Sequence, residues 1–267
     1  MKKTVLITGA FGGMGSAMTE ALLSMGYRVF ALDKKIREGS ENLIPIEADL
    51  TDEKSVISAF ESVASATDNL DAIIHFAGVY RLDSLVEMTS GEFESAFKIN
   101  LNSCFLVNKT FLPLLKSGSR IIITTSELAS LDPLPFTGIY AITKAALDKY
   151  AYSLRMELQL LGIDVCVIRA GAVDTGMLGA SITALDRFHE KTRLYSCNAA
   201  RFKSIVEGVE ARSIPASTLA KRVLRVMKKR RTRFAYSINR NPLLLLLNIL
   251  PKGMQLFAIK QVLKSGK

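Results

Sequence analysis

The chain has 267 residues, of which 49% are hydrophobic and 22% charged, and it carries a formal net charge of +10. That balance excludes a disordered chain, and the length suits one large α/β domain or two small ones. Cys104, Cys166 and Cys197 and the distant His75 and His189 lack the spacing of a disulfide framework or a His-rich zinc site. No metal is therefore expected, and the setting is read as reducing and cytoplasmic.

The excess charge is not evenly spread. Residues 211–267 hold 14 of the 35 Lys/Arg and none of the 25 Asp/Glu, so the rest of the chain is slightly acidic. The basic segment needs its own explanation.

Met1-Lys2-Lys3 followed by an apolar run imitates a signal peptide, but Gly9, Gly12, Gly13 and Gly15 interrupt the run too early. Thr4 to Thr8 reads instead as a strand buried on both faces. The turn that follows spaces Gly9, Gly13 and Gly15 as Gly-x-x-x-Gly-x-Gly, ahead of a helical pattern from Ser16 to Met25. Such a turn lets backbone approach a diphosphate, which sits on the helix N-terminus. A merely flexible strand-helix turn is the plainer alternative.

Tyr27 to Leu32 reads as a second strand ending at Asp33, 18 residues after Gly15. A carboxylate there accepts hydrogen bonds from both adenosine ribose hydroxyls and repels a 2′-phosphate, which favours NAD over NADP. Lys34 and Lys35 argue the other way, and a solvated Asp at a strand end is the bland reading. Leu43 to Glu47 is a third strand, leading to Asp49 and Leu50. Asp49 either meets the adenine amino group or caps the helix beginning near Asp52.

Leu70 to Phe76 is a fourth strand, running into Ala77-Gly78-Val79. The stretch from Phe93 to Leu115 has the periodicity of one helix, with Asn100 and Asn102 inside it at a cost in helix propensity. Arg120 to Thr125 is a fifth strand ending at Ser126, and a loop with Pro133 and Pro135 leads to Tyr140. A helix from Ile139 to about Leu161 places Tyr140 and Lys144 on one face. A fixed cation beside a phenol lowers its pKa, so the pair can move a proton near neutral pH. Alone, such a pair is more often a surface feature.

Ile163 to Ile168 is a sixth strand, with Gly171, Val173 and Thr175 beyond its C-terminal end. Strands alternating with helices predict a Rossmann-type, doubly wound parallel sheet of about seven strands. Gly9, Asp33, Asp49, Gly78, Ser126 and Gly171 all follow strands at the edge where such sheets bind ligands.

With these residues in view, the chain resembles the short-chain dehydrogenase/reductase family over residues 2 to about 236. The resemblance carries a catalytic set onto Asn100, Ser126, Tyr140 and Lys144. It implies that Tyr140 passes the proton, Lys144 holds the nicotinamide ribose and depresses the Tyr140 pKa, and Ser126 binds the substrate oxygen. Asn100 would support a water linking Lys144 to solvent. Cofactor contacts are expected at Gly9, Phe11, Gly13, Met14, Gly15, Asp33, Asp49, Leu50, Ala77, Gly78, Tyr140, Lys144, Gly171, Val173 and Thr175. A homodimer or homotetramer through helices near residues 100–116 and 140–160 is a further family expectation.

Three departures stand out. His75-Phe76-Ala77-Gly78 replaces the family's Asn-Asn-Ala-Gly, so His75 is expected to replace the structural hydrogen bonds of the first Asn, or, as the sharper idea, to be catalytic. Ala170-Gly171 stands for Pro-Gly. Ser126 lies 14 residues before Tyr140, one more than usual, so the loop should bulge. Thr125 is the fallback for the serine role, although its side chain should point the other way.

Residues 177–213 fall where the family places its substrate lid, and they offer Met177, Leu178, Leu185, Phe188, Leu194, Tyr195 and Phe202. An apolar lid suits a lipophilic alcohol or ketone, and a helix pair merely packed on the sheet is the equal alternative. Ala216 to Lys229 reads as a helix and Arg233 to Ser237 as an edge strand, closing a domain of residues 1–240. The extension 241–267 joins Pro242 to Pro251, with eight residues between, to a helical tail carrying Lys252, Lys260, Lys264 and Lys267. It cannot span a bilayer. An apolar block flanked by cations can lie on an anionic membrane surface, or it can cover its own subunit or a dimer mate. Nucleic acid is not expected, since no binding motif accounts for the leucines.

The resulting expectation is an NAD-dependent oxidoreductase acting on a secondary alcohol or ketone, with a hydroxysteroid or similar lipophilic substrate. The alternatives are a dinucleotide-sensing regulator without turnover and an NADPH-dependent reductase of a small carbonyl or fatty-acyl substrate.

Overall fold

Seven short apolar segments set the architecture, because each must be covered on both faces. In the computed structural model, which describes residues 2–175, 178–210 and 212–264, these are β1 (Thr4–Thr8), β2 (Arg28–Asp33), β3 (Leu43–Glu47), β4 (Leu70–His75), β5 (Leu115–Ser126), β6 (Asp164–Ala170) and, after a minor pair, β9 (Ala235–Ile238). They form one parallel sheet in the order β3-β2-β1-β4-β5-β6-β9. Successive side chains point to opposite faces. Leu6, Ile73, Ile121 and Val165 therefore meet α2 (Glu53–Ala64), α4 (Ser103–Phe111) and α5 (Gly138–Leu158). Ile7, Ile74, Ile122 and Cys166 meet α1 (Gly13–Leu23) and α8 (Ala216–Met227). The doubly wound α/β fold read from the sequence is the fold observed.

The minor pair is β7 (Val173–Asp174) with β8 (Ile214–Pro215), a parallel two-residue ladder. It ties together the two ends of an excursion made by α6 (Leu178–Lys191) and α7 (Ser196–Glu210). Met177, the first residue of the expected lid, lies outside the described residues. Leu185, Phe188 and Phe202 are buried, but Leu194 points to solvent.

The expected single helix from Phe93 to Leu115 is broken. α3 (Ser90–Phe97), opened by a capping box of Thr89 and Glu92, passes through a π-helical turn at Lys98–Asn102 before α4 begins. The wider turn accommodates one extra residue and swings Asn100 into the interior.

At the C-terminal end, Asn241 caps α9 (Pro242–Ile249) by accepting from Leu243 N at 2.9 Å, with Pro242 in the first turn. α10 (Lys252–Leu263) then packs on the lid, where Asn198 Nδ2 donates to Leu263 O at 2.6 Å and Arg201 Nη1 to Lys264 O at 2.8 Å. Leu82, Leu185, Phe202 and Leu263 form a small core of their own, apart from the two faces of the sheet. Among the described residues no helix is long and apolar enough to cross a membrane.

Candidate active site

β5 runs three residues beyond its last pairing with β4, Ile123 opposite His75, while it stays paired to β6 as far as Ser126 opposite Ala170. Ser126 thus stands above the general level of the sheet edge. α5 begins at Gly138 and presents Tyr140 and Lys144 one turn apart, beside it. The Ser126 and Tyr140 side chains line the same cavity, and Ser126 Oγ accepts from Leu128 N at 3.2 Å. Lys144 Nζ lies 5.7 Å from the centre of the Tyr140 ring and donates to Thr124 O at 3.3 Å.

Asn100 completes the cluster from the π-helical turn. Its Oδ1 accepts from Val79 N at 2.8 Å, and its Nδ2 donates to Val79 O and to Thr143 Oγ1, each at 3.0 Å. A Cβ placed on Gly78 would lie 3.1 Å from Asn100 Oδ1 and 3.3 Å from Lys144 Nζ, so these groups converge on a bare backbone. All four residues singled out in the sequence are brought together.

Their electrostatics differ from the expectation. Burial pushes the Tyr140 phenol up to about 12, opposed by the nearby Ser126 hydroxyl. Burial also brings the Lys144 ammonium down to about 8. The lowering of Tyr140 by Lys144 that the pair's spacing implied is not what this geometry produces: desolvation of the phenolate outweighs a cation that is itself desolvated.

The glycine-rich turn sits at the same edge. Gly9 has φ +65, and a Cβ there would come within 2.7 Å of Ala77 N, so neither the conformation nor the space admits another residue. Helix α1 starts from Gly12 without a side-chain cap, and the buried Ser16 Oγ has no partner among the described residues. An uncapped helix N-terminus with a spare buried hydroxyl fits the diphosphate of a dinucleotide. Val173, Thr175 and Met14 line the cavity between this turn and Tyr140.

The profile of the family described as short chain dehydrogenase matches residues 3–185. The chain belongs to this family. The short-chain dehydrogenase fold implies NAD(P) binding. Over 255 residues, 93% of each chain, it is 27% identical to the Helicobacter pylori protein described as "Probable short-chain type dehydrogenase/reductase VdlC". It is 31% identical to estradiol 17-beta-dehydrogenase 2 of Mus musculus over 193 residues, which is 67% of this chain and 50% of that protein. A crystal structure of a short chain dehydrogenase from Burkholderia cenocepacia, in complex with NADP, superposes with a TM-score of 0.74 at 21% identity, covering 99% of this chain and 98% of that one.

The residues expected beside the adenosine make contacts of their own. Asp33 Oδ2 accepts from Phe11 N at 2.9 Å and Oδ1 from Lys34 N at 2.8 Å. Lys34 is engaged by Asp49 at 2.9 Å, which holds the Asp49 carboxyl at about 2. Asp49 also accepts from Thr51 N and Oγ1, whereas the cap of α2 is Asp52. The Leu50 side chain is in the core. Arg37, which no motif marked, donates to Phe11 O at 3.2 Å and lies over the Phe11 ring.

His75 is a structural residue. Its Nε2 faces Asn108 Oδ1 at 2.9 Å and its Nδ1 faces Thr8 Oγ1 at 3.4 Å. Asn108 uses its Nδ2 toward Tyr150 and Cys104, so its oxygen must accept from Nε2, and Nδ1 accepts from Thr8. Burial brings His75 down to about 4, against the opposing hydrogen bond of Asn108. Thr125 donates to Asp148 Oδ1 at 3.3 Å on the α5 side, consistent with Ser126 as the hydroxyl beside Tyr140.

The long loop before α5 takes up its extra length in a 3₁₀ turn at Glu127–Ala129 and at Phe136, whose φ of +65 is rare for a bulky residue. Phe136 is held among Phe188, Tyr195 and Phe202, with ring centres 4.5, 5.2 and 5.4 Å away.

Three residues at the site were not singled out by any motif. Tyr80 sets its ring edge-on to Tyr140 at 4.8 Å. Thr143 bridges Asn100 to Tyr140 O. Glu127, buried in the cavity wall, accepts from Asn241 N at 2.8 Å, and burial pushes its carboxyl up. Only Thr143, enclosed between Tyr140 and Lys144, was findable.

Proposed function

We propose that this short-chain dehydrogenase interconverts a secondary alcohol and a ketone, with Tyr140 as acid and base. The observation that carries the reading is the pairing of the Ser126 and Tyr140 side chains on one cavity of about 250 Å³. A nicotinamide bound beside the pair would give or take the hydride.

In ketone reduction the substrate oxygen accepts hydrogen bonds from Ser126 and Tyr140, and the phenolic proton moves to that oxygen as the carbonyl carbon gains hydride. A phenol held near 12 is fully protonated at neutral pH, which suits this direction. Lys144, in its protonated form, stabilises the phenolate left behind, and Asn100 fixes the backbone around Gly78 and supports a water on the path from Lys144 to solvent. Oxidation reverses each step.

NAD is the preferred cofactor in this reading, because Asp33 stands at the end of β2 and Lys34 is neutralised by Asp49. The NADP complex of the structural neighbour and the position of Arg37 supply the competing case. Asp33→Ala should narrow the NAD/NADP preference in kcat/KM, and an unchanged ratio removes Asp33 from this role.

The cavity wall is largely apolar, with Leu128, Leu134, Phe202 and Leu244 opposite Tyr140. A lipophilic substrate such as a hydroxysteroid is supported by this lining and by the activity named in the mouse relative. A panel of hydroxysteroids and simple ketones with both cofactors, followed by reduced-nicotinamide absorbance, tests the activity. Dinucleotide binding with no turnover across a broad panel would instead favour a sensor.

Homo-oligomerisation through α4 and α5 is supported by the exposed Phe105, Tyr152 and Met156, and sedimentation tests it. Peripheral contact with an anionic membrane is supported by Leu243, Leu246 and Ile249, each more than half exposed on α9. Replacing all three with Ser should abolish partitioning onto anionic vesicles, and unchanged partitioning removes the membrane role.

A further inference from the structure

The reacting cavity is the innermost of three apolar compartments that share walls. Leu134, Phe202 and Ile205 line both the cavity at Tyr140 and a second compartment of about 130 Å³. Among the described residues, that second compartment has no polar side chain in its lining, which is completed by Leu247, Ala258 and Val262 among others. Leu134, Pro135, Ile259 and Leu263 in turn line both the second compartment and an outer groove of about 660 Å³. The groove runs between α10, the loop at Ser84–Val86 and the loop at Pro133–Phe136. Among the described residues, its charged lining residues are Lys260 and Lys264.

From this arrangement we infer that the protein binds a single-chain anionic amphiphile, which rests on the oxidoreductase reading given above. The secondary alcohol or ketone lies at Tyr140, the hydrocarbon chain passes through the middle compartment, and an anionic group ends at Lys260 and Lys264. A dry middle compartment accepts methylenes and rejects hydroxyls, whose unpaired burial is costly. The compartments share Leu134, Phe202 and Ile205 on one side and Leu134, Pro135, Ile259 and Leu263 on the other, and a flexible chain would thread between them by rotamer changes of the Leu, Ile and Phe side chains. A rigid fused-ring skeleton cannot bend through them and would occupy the inner cavity alone. The two cations on an acid-free tail supply the charge match at the far end.

Two experiments test this, one without turnover. The first is binding of cis-parinaric acid to the full chain, read from the probe's own fluorescence. One molecule per chain should bind, be displaced by hexadecanoate, and be lost in Ile259→Trp and in Val262→Trp, which fill the middle compartment from two sides. Absence of binding, or unaltered binding in whichever of these variants keeps its far-ultraviolet dichroism, overturns the inference.

The second uses (ω−1)-oxo fatty acids from hexanoate to octadecanoate, beside matched uncharged methyl ketones. kcat/KM should rise about fourfold per methylene over the lengths that enter the middle compartment, from roughly 0.8 kcal/mol each. The long acids should exceed the matched ketones by about tenfold, a margin erased in the double variant Lys260→Gln, Lys264→Gln. A flat length profile, or a margin that survives the double variant, overturns it. Reduction of short ketones without parinarate binding leaves the alcohol/ketone activity standing and sinks the channel. Parinarate binding lost in the Trp variants, with no reduction of any ketone, leaves the channel standing and sinks the activity.

Discussion

Two parts of the molecule meet at Tyr140, and they are built differently. The floor, made of β4, β5, the π-helical turn and α5, holds its polar groups through hydrogen bonds to backbone: Asn100 to Val79, Lys144 to Thr124, Thr143 to Tyr140. The roof, made of α6, α7, α9 and α10, is held by an aromatic cluster around Phe136, a small apolar core with Leu263, side-chain hydrogen bonds to the end of α10, and ion pairs at its rim. Lys191 meets Asp83 and Glu92 at 2.9 Å, and Glu87 accepts from Thr192, Arg193 and Leu194. Backbone-anchored groups fix a reaction geometry, because they cannot move without breaking the sheet edge. Side-chain-anchored helices fix only a shape, and a shape can be exchanged without disturbing the chemistry.

The most severe break in that contrast is Tyr140→Phe. It should lower turnover by about 10²–10⁴-fold while leaving dinucleotide affinity and the melting temperature nearly unchanged. Retained turnover would mean that another group supplies the proton.

Phe202→Ala attacks the roof. Removing a fully buried Phe should cost about 3 kcal/mol or more. Amide exchange should accelerate in α7 and α10 but not in β4 or β5. Uniform acceleration would show that floor and roof are one cooperative unit, and the contrast would fall.

His75→Asn probes the floor through pH. Because His75 titrates at about 4 when folded and near 6.5 when free, the unfolded chain binds the extra proton between those values. Stability should therefore fall as pH drops from about 6.5 to 4, by at most about 3 kcal/mol. Asn at this position should flatten that part of a urea-midpoint profile. An unaltered slope would place the acid sensitivity elsewhere.

Lys191→Met should cost about 1–3 kcal/mol, since the pair with Glu92 is partly solvated but the buried Asp83 carboxylate loses its cation. Lys191 holds the Glu92 carboxyl at about 2. Its contribution is complete above the ordinary carboxylate pKa and is lost as pH falls through about 2. In the variant the Glu92 carboxyl, followed by NMR, should titrate closer to its ordinary range, and KM should move more than kcat. A larger effect on kcat would connect the rim to the chemistry.

The floor was largely legible in the sequence because its signals are local or periodic. A buried strand, a glycine-rich turn and an amphipathic helix can be read from β1 to α1 without knowing what lies across the chain. Tyr140 and Lys144 share a helical face by spacing alone. The π-helical turn was not legible, since one inserted residue leaves the apolar pattern on either side helical. Nor were β7 and β8, because two residues carry no alternation. Tyr80, Arg37 and Glu127 become visible only through partners that the fold delivers from elsewhere. The acidity of Tyr140 was misjudged for a related reason: spacing shows the neighbouring cation, whereas burial is a property of the whole assembly. The roof was read as apolar, but its separate core with Leu263 of α10 follows from long-range packing.

The π-helical turn at Lys98–Asn102 also has a genetic consequence. Each residue advances a helix by about 100°, so the extra residue sets α3 and α4 out of phase with an uninterrupted helix. Deleting a single residue here would restore a regular ladder of hydrogen bonds, and helix propensity would favour the shortened segment. The same deletion would rotate Asn100 away from Val79 and Thr143. An in-frame loss of one codon should thus yield a well-folded protein with a misassembled floor, making this turn a place where length matters more than residue identity.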